Sequence, residues 1–564
     1  MSRKEELLSR LKEKLQADFL AEDFSTEDRC LFIDLKKESL IEAAKILMSQ
    51  GARYQAGVGY DARKSGRGLA LVHTFAFDTD SLLVAIRAFT PEDNPEFDSL
   101  TPLIPGAGWS EREYIDLLGL HFNNHPNPKR LVLSDDWPQG IYPLRQDVPY
   151  DLMPPSAEEV AFRLDDAPPG SSIIPFGPFH ACLHEPAHFA VYVDGEEIKG
   201  CEYRGFMVHR GIEKLAATEL IYSEIPFVAE RICGICGSVH SVNYAQAVES
   251  AAGLKIPRRA EFIRTVMLEI ERLHSHLMWL GVAGHLIGFD TVFMQAWRIR
   301  EKIMWLAENL TGNRKTYGMV IIGGVRRDID REKASQVKKT LTEVEKDLLA
   351  LEKAIIKDRA IHRRTKGVGF LSREKAVEWN LVGPVARARG LAIDARKDHP
   401  YAAYDEMKFE VPVAESGDVW GTLVVRIKEI YEAIKIINQC LEKLASIPET
   451  SPLAVELEGP VPAGRQALSV VEAPRGEAVH YLLTGSDNRP ERWRVRAPTY
   501  PNLQGVPDML LNNKLADFPI IVGSIDPCIS CTDRIAVIDR KSASGKILSR
   551  QQLEKLSREM RSKT

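Results

Sequence analysis

The spacing of hydrophobic and polar positions along this chain divides it into regions of different period. Over residues 3–16 and 38–50, apolar residues recur at intervals of three and four, the spacing of a helix that buries one stripe. The runs Leu69–Phe77 and Leu82–Phe89 are short and almost wholly apolar, and they read as strands. Phe189–Val193 reads the same way, with Asp194-Gly195 as its hairpin turn and a helix over Glu213–Leu220 beyond it. From 257 to about 358 the helical period takes over, through Phe262–Leu280, Val292–Leu310 and a charged helix with one apolar stripe at 330–358. Another helix covers about 415–446. The predicted class is α+β: a small N-terminal α/β domain followed by a mainly α-helical domain with a small β-sheet near its start.

Residues 151–172 interrupt the pattern with Pro154-Pro155, Asp165-Asp166 and Pro168-Pro169-Gly170. Proline pairs and acidic residues resist packing and favour extended chain. The predicted division is therefore a domain over 1–155, a linker over 156–172, and a large domain from 173.

Composition narrows the class. Hydrophobic residues make up 44% and charged residues 27%, an ordinary globular balance, and a net charge of −5 gives no reason to expect nucleic acid as a partner. No apolar run reaches the ~18–20 residues needed to span a bilayer. The N-terminus, Met1 to Leu15, is a charged amphipathic stretch without a signal-peptide core or twin arginine. Eight cysteines in 564 residues form no disulfide framework. Cys30, Cys182, Cys201 and Cys440 are scattered and read as small buried apolar residues in a reducing compartment.

The other four cysteines form two Cys-x-x-Cys pairs, Cys233 with Cys236 and Cys528 with Cys531, separated by about half the chain. Such pairs suit structural zinc, a redox dithiol, or a buried centre of nickel, iron or iron–sulfur type. Zinc ribbons usually close within tens of residues. A site closed across half a large domain has a core around it already and needs no metal to fold, which points to a reaction centre. A dithiol would use one pair and leave the other idle.

Flanking residues sharpen this. Arg231-x-Cys-Gly-x-Cys-x-x-x-His240 and Asp526-Pro-Cys-x-x-Cys-Thr-x-Arg534 resemble the two nickel-binding motifs of [NiFe]-hydrogenase large subunits. A second motif that ends in Arg534 rather than His is similar to the membrane-associated, energy-converting group 4 branch, which includes formate hydrogenlyase. Glu111-Arg-Glu-Tyr-Ile-Asp-Leu-Leu-Gly-Leu-His-Phe122, with His125 and Lys129-Arg130, resembles the 30-kDa-type subunit of respiratory complex I. The N-terminal domain would then carry no cofactor and use its charges as interface pairs. The large domain, 173–534, would be the hydrogenase large-subunit or complex I 49-kDa-like unit.

The resemblance implies a set of roles. Cys233 and Cys528 would be terminal nickel ligands, and Cys236 and Cys531 would bridge nickel and iron, the iron carrying cyanide and carbon monoxide. His240 would hydrogen-bond a bridging thiolate. Arg231 and Asp526 would stand behind the ligands, Asp526 paired with Arg475. That arginine, in Glu472-Ala-Pro-Arg-Gly476, would hang over the open face of the metal pair, where a guanidinium stabilises anionic or hydridic ligands. Glu185 would pass protons to and from a terminal thiolate. Glu213, in His209-Arg-Gly-Ile-Glu213, would help bind a buried divalent ion such as magnesium, or serve a proton path; its bland alternative is an exposed first-turn glutamate. Glu271, His274 and His276 read as satisfied polar residues at helix contacts.

The implied activity is reduction of protons to dihydrogen, in a formate hydrogenlyase-type complex on the cytoplasmic face of the inner membrane. The implied partners are an iron–sulfur small subunit with a [4Fe–4S] cluster, antiporter-like integral membrane subunits, and formate dehydrogenase reached through ferredoxin-like carriers. An endopeptidase would cut after Arg534 and remove 535–564. The alternatives are a hydrogenase fed by carbon monoxide dehydrogenase or ferredoxin, and a quinone-reducing complex I subunit of fused 30/49-kDa type.

Overall fold

A computed structural model of the chain describes residues 3–24, 29–135, 137–152, 167–183, 185–207, 209–529, 537–538 and 545–546. Most of the expected linker, Cys531, Arg534 and nearly all of 535–564 lie outside these.

The N-terminal unit is built on a five-stranded sheet in the spatial order Phe19–Phe24, Cys30–Leu35, Leu82–Thr90, Leu69–Phe77, Arg53–Asp61. Only Cys30–Leu35 and Leu82–Thr90 pair in parallel; the other neighbours are antiparallel. The two strands legible as apolar runs are its interior. Every residue of Leu69–Phe77 is buried, because both faces of the sheet are covered. Leu69, Leu71, Phe75 and Phe77 pack with Leu7, Leu11 and Leu47 of the helices Arg3–Leu15 and Leu40–Ser49. Ala70, Val72 and Ala76 point the other way and meet Leu468, Val470, Val479 and Tyr481 from the far end of the chain. Period-two alternation thus feeds two cores at once, one local and one between domains.

The helix Gly108–Leu118 carries the acidic motif, and its charges are buried rather than solvated. Glu113 takes a bidentate bond from Arg494 at 2.7 and 2.8 Å, together with the Tyr500 hydroxyl at 3.0 Å. This is a pair between domains, as expected. The remaining charges work inside the domain. Asp116 accepts the amides of Leu131, Val132 and Leu133, and Arg112 donates to the carbonyls of Lys129 and Arg130. Glu111 accepts from Ser99 and Thr101 hydroxyls and the Leu100 amide at 2.5–2.7 Å.

The large domain contains the expected long helices, Arg258–Leu286, Asp290–Thr311, Arg331–Lys357 and Val419–Ala445, packed as a bundle in which the second and fourth helices each contact both the first and the third. Asp330 and Asp418 start the last two by capping the amides of Lys333 and Gly421. The stripe on Arg331–Lys357 is Val337, Leu341, Val344, Leu348, Leu351 and Ile355, spaced by three and four and buried. Of three tryptophans in the helical region only Trp279 is interior; Trp297 and Trp305 are exposed. Among the described residues no helix is long and apolar enough to cross a membrane.

Two three-stranded antiparallel sheets complete the domain. Ser172–Phe176, His188–Asp194 and Glu197–Arg204 form the one expected near its start. Gln466–Ala473, Gly476–Thr484 and Pro490–Arg496 form a second that the sequence pattern did not reveal. Its first two strands are buried at every position, with one face on the N-terminal sheet and the other on the helix Gly237–Ala252. This hairpin joins the two domains.

Burial pushes the Glu111 carboxyl up to about 7 against the pull of its hydroxyl and amide donors. A carboxyl raised above its unfolded value adds stability that is complete below pH ~4.5 and is lost as pH rises toward 7. Urea unfolding between pH 4.5 and 7 is expected to show a decline that Glu111→Gln removes, on the order of 3 kcal/mol for such a shift.

Candidate metal centre

The first Cys-x-x-Cys lies in the turn between the short helix Ile225–Ala229 and the helix Gly237–Ala252, for which Cys236 is the N-cap. The amides of Ile235 and Cys236 both donate toward Cys233 Sγ at 3.4 Å. Backbone N–H groups at a helix start favour a thiolate over a thiol. Gly237 is required here, since a Cβ would sit 2.3 Å from the Tyr317 ring, whose hydroxyl donates to the Cys233 carbonyl at 3.2 Å.

The second pair enters from the other end of the chain. After the helix Phe518–Ser524, Asp526 takes a left-handed conformation (φ 55°) that turns the chain inward, and the Cys528 amide donates to Thr499 Oγ1 at 3.1 Å. The sulfurs of Cys528 and Cys233 come to 3.1 Å, and neither is in a disulfide. Cys233, Cys236 and Cys528 are 0%, 2% and 3% exposed. Contact with Cys233, then burial, drives the Cys236 thiol far up, with Arg475 opposing. Thiols crowded in this way keep their protons unless a cation takes their place, and a soft all-sulfur donor set fits nickel or iron. The thiols are packed on one another: among the described residues no three His, Cys, Asp or Glu side chains are spread around a point as ligands. Cys531, the fourth expected ligand, lies outside the described residues.

Arg475 stands beside the thiols, 1% exposed, at the tip of the hairpin Gln466–Thr484. Ala473 pairs with Gly476, so Pro474 and Arg475 are the whole turn. Gly383 lets a second backbone press on that turn; a Cβ there would lie 2.3 Å from the Arg475 carbonyl. The guanidinium donates through Nε to the Asp526 carbonyl at 2.6 Å and through Nη2 to its carboxylate at 2.8 Å. Burial pulls its pKa down, but Asp526 and the thiols outweigh that, so the charge is held. Asp526 also meets Arg426 Nη1 at 3.3 Å. Arg426 lies over the Trp279 ring and contacts His276, which bonds Glu429 at 2.8 Å.

His240 lies one turn beyond Cys236 on the same helix face and is fully buried. Its Nδ1 is 3.1 Å from Nε2 of His480, on the second hairpin strand. Burial pushes His240 down to about 4, so the ring is neutral near pH 7. Glu271 closes the helix start by accepting the amides of Ser238 and Val239 at 2.8 and 3.1 Å and the Thr316 hydroxyl at 2.5 Å. Burial raises its carboxyl to about 8. His274 donates from Nε2 to the Ile235 carbonyl, 2.8 Å away, bracing the same turn.

Three expected residues fall away from the thiols or at their edge. Glu185 is half-buried, and its carboxylate accepts the amide of Ile529, the residue after Cys528. Arg231 has a side chain 56% exposed, set over Tyr317 and donating to the Phe227 carbonyl, so it stands at the rim rather than behind the ligands. Glu213 is not an exposed helix start: it accepts from Arg492 at 2.7 Å, Arg494 at 3.2 Å and the Val495 amide at 2.9 Å. Burial raises its pKa, but the two arginines outweigh that and leave it low, and their charges disfavour a divalent ion there. Glu213 and Glu113 instead line a seam cavity of about 50 Å³ with Arg494 and Tyr500. Sequence reasoning missed His480, Thr499 and Arg426, whose only signal was a polar residue within an otherwise apolar run.

This cluster, set in modules of two kinds, defines a class, and comparison with known proteins agrees. Residues 210–297 match the nickel-dependent hydrogenase family. Residues 33–152 match the 30 Kd subunit of respiratory-chain NADH dehydrogenase, and 287–456 and 451–534 its 49 Kd subunit. The chain is 39% identical to formate hydrogenlyase subunit 5 of Escherichia coli (strain K12), covering 98% of this chain and 97% of that one. It is also 39% identical to the carbon monoxide-induced hydrogenase of Rhodospirillum rubrum, over 64% of this chain and 99% of that one. A chain from the membrane-bound sulfane sulfur reductase, an archaeal respiratory membrane complex, superposes with a TM-score of 0.61 at 30% identity, over 66% of this chain and all of that one. The class is a nickel-dependent hydrogenase subunit fused to complex I-type modules. The chain belongs to the large-subunit family of group 4 [NiFe]-hydrogenases and is a hydrogenase oxidoreductase.

Asp526→Ala is expected to strand Arg475 and Arg426 as buried charges and to destabilise the protein by ~3–5 kcal/mol. A double-mutant cycle with Arg475→Met should recover part of that loss in denaturant unfolding; strictly additive losses would mean that the two groups do not interact.

Proposed function

We propose that this chain is the catalytic subunit of a dihydrogen-evolving hydrogenase in a formate hydrogenlyase-type complex. The observation that carries the reading is the convergence of Cys233, Cys236 and Cys528 in a buried cluster beside the Arg475 guanidinium, from motifs half a chain apart. In this reading Cys233 and Cys528 hold nickel as terminal ligands. Cys236 and Cys531 would complete the donor set, shared with an iron that would carry cyanide and carbon monoxide. When bound, the centre supplies the redox chemistry that joins protons and electrons into dihydrogen.

The side chains of this chain do the rest. The four thiolates would hold the metals and offset their charge. Arg475 lays fixed positive charge where negative charge gathers, and Asp526 keeps that guanidinium from swinging onto the ligands. Glu185 is half-buried and anchored at the backbone amide of Ile529, next to Cys528, at the edge of the thiol cluster. That placement supports proton delivery to a terminal thiolate. Among the described residues no second cysteine cluster exists, so electrons would arrive from a [4Fe–4S] cluster on an iron–sulfur partner subunit.

Formate as the electron source is favoured by the fused N-terminal domain. The formate hydrogenlyase relative spans that domain, whereas the carbon monoxide-induced relative covers only about two thirds of this chain. Antiporter-like subunits would hold the complex at the cytoplasmic face of the membrane, and an endopeptidase would cut after Arg534. Quinone reduction, the work of complex I modules, leaves the two Cys-x-x-Cys pairs without a role.

The Glu185→Gln variant, purified in its complex from the native host, tests the proton route. Expected are retained nickel and iron with dihydrogen evolution reduced by ~10²-fold or more, the scale of a lost acid–base group. Unchanged evolution would remove Glu185 from the path, and quinone reduction without dihydrogen would overturn the reading.

A further inference from the structure

We propose that Trp493 and His480 are positioning residues that lock His240 in the tautomer presenting an Nε2–H to the thiols. An indole N–H donates and never accepts. Trp493 Nε1 lies 3.3 Å from His480 Nδ1, with both residues fully buried. His480 Nδ1 is therefore the acceptor and carries no hydrogen. The hydrogen of that ring sits on Nε2, which faces His240 Nδ1 at 3.1 Å. Only one hydrogen fits between the two nitrogens, so His240 Nδ1 accepts it. The hydrogen of His240 must then be on Nε2.

The rest of the geometry fits a relay with one direction. The two imidazoles are nearly parallel, at an interplanar angle of 17°. Trp493 is held in turn by Tyr244, edge to face at 5.2 Å. His240 Nε2 is buried and has no hydrogen-bond partner among the described residues, and the ring lies within electrostatic reach of Cys233. One helical turn separates it from Cys236, which brings both side chains to the same face. A buried donor without a partner is costly unless something accepts from it, and thiolates in this pocket are acceptors. Both positioning residues belong to the sheet that joins the domains: His480 on its middle strand, Trp493 on its third. The tautomer assignment stands on hydrogen bonds alone; its consequence for a bridging thiolate rests on the function proposed above.

Neutron diffraction on the deuterium-exchanged complex reads the assignment directly. The expected result is deuterium on His240 Nε2 and His480 Nε2, and none on either Nδ1. Trp493→Phe removes the donor that sets the direction. So does replacement of Trp493 by 3-benzothienylalanine, which keeps the ring volume and loses only the N–H. Deuterium is expected to redistribute to the Nδ1 positions in both, with nickel retained and turnover lowered ~3–10-fold, the scale of one hydrogen bond. A bare Nε2 on His240 in the wild type, or identical deuterium positions in wild type and both variants, would overturn the proposal. Absence of nickel from the wild-type crystals would instead count against the function while leaving the tautomer readable.

Discussion

A guanidinium with 1% of its surface exposed has to be compensated, and the compensation of Arg475 organises the centre. An unpaired buried charge costs several kcal/mol, so Arg475 can stay interior only while Asp526 faces it. Asp526 can do so only because it takes a left-handed backbone, and that same turn carries Cys528 to Cys233. One ion pair therefore couples a hairpin tip, the C-terminal cysteine and the Cys-x-x-Cys turn. Arg426, His276 and Glu429 extend the pairing inward, so the thiols rest on a charged network as well as on the apolar core.

The hairpin behind Arg475 explains why the N-terminal domain sits where it does. A two-stranded ribbon is barely stable alone, and one that must aim a charge into a core needs both faces covered. Leu468, Val470, Val479 and Tyr481 give one face to the N-terminal sheet. His480, Val471 and Ala478 give the other to the catalytic domain. Arg53 pairing with Glu477, and Arg494 with Glu113, fix the register across the seam. A domain that carries no expected ligand thus sets the position of the hairpin that bears Arg475 and His480.

Much of this was legible in the sequence. The long helices declared themselves because their buried stripes repeat at three and four, and the central strands of the N-terminal sheet did so because they are apolar on both faces. The cysteine motifs were legible through their spacing and flanks. The hairpin was not: Gln466–Ala473 and Gly476–Thr484 contain Glu472, Glu477 and His480, polar residues that are buried with partners far away in sequence. Local pattern cannot distinguish such residues from solvated ones. The burial of Glu213 was hidden for the same reason, since its arginine partners lie almost three hundred positions away. Residues whose roles depend on long-range pairing are the ones a sequence hides.

The central claim is that the buried thiols hold a nickel–iron centre. Elemental analysis with nickel-edge X-ray absorption, on the chain in its complex from the native host, tests it most directly. The account predicts nickel and iron in equal amounts, with nickel surrounded by sulfur. Zinc alone, or nickel without sulfur neighbours, would contradict it.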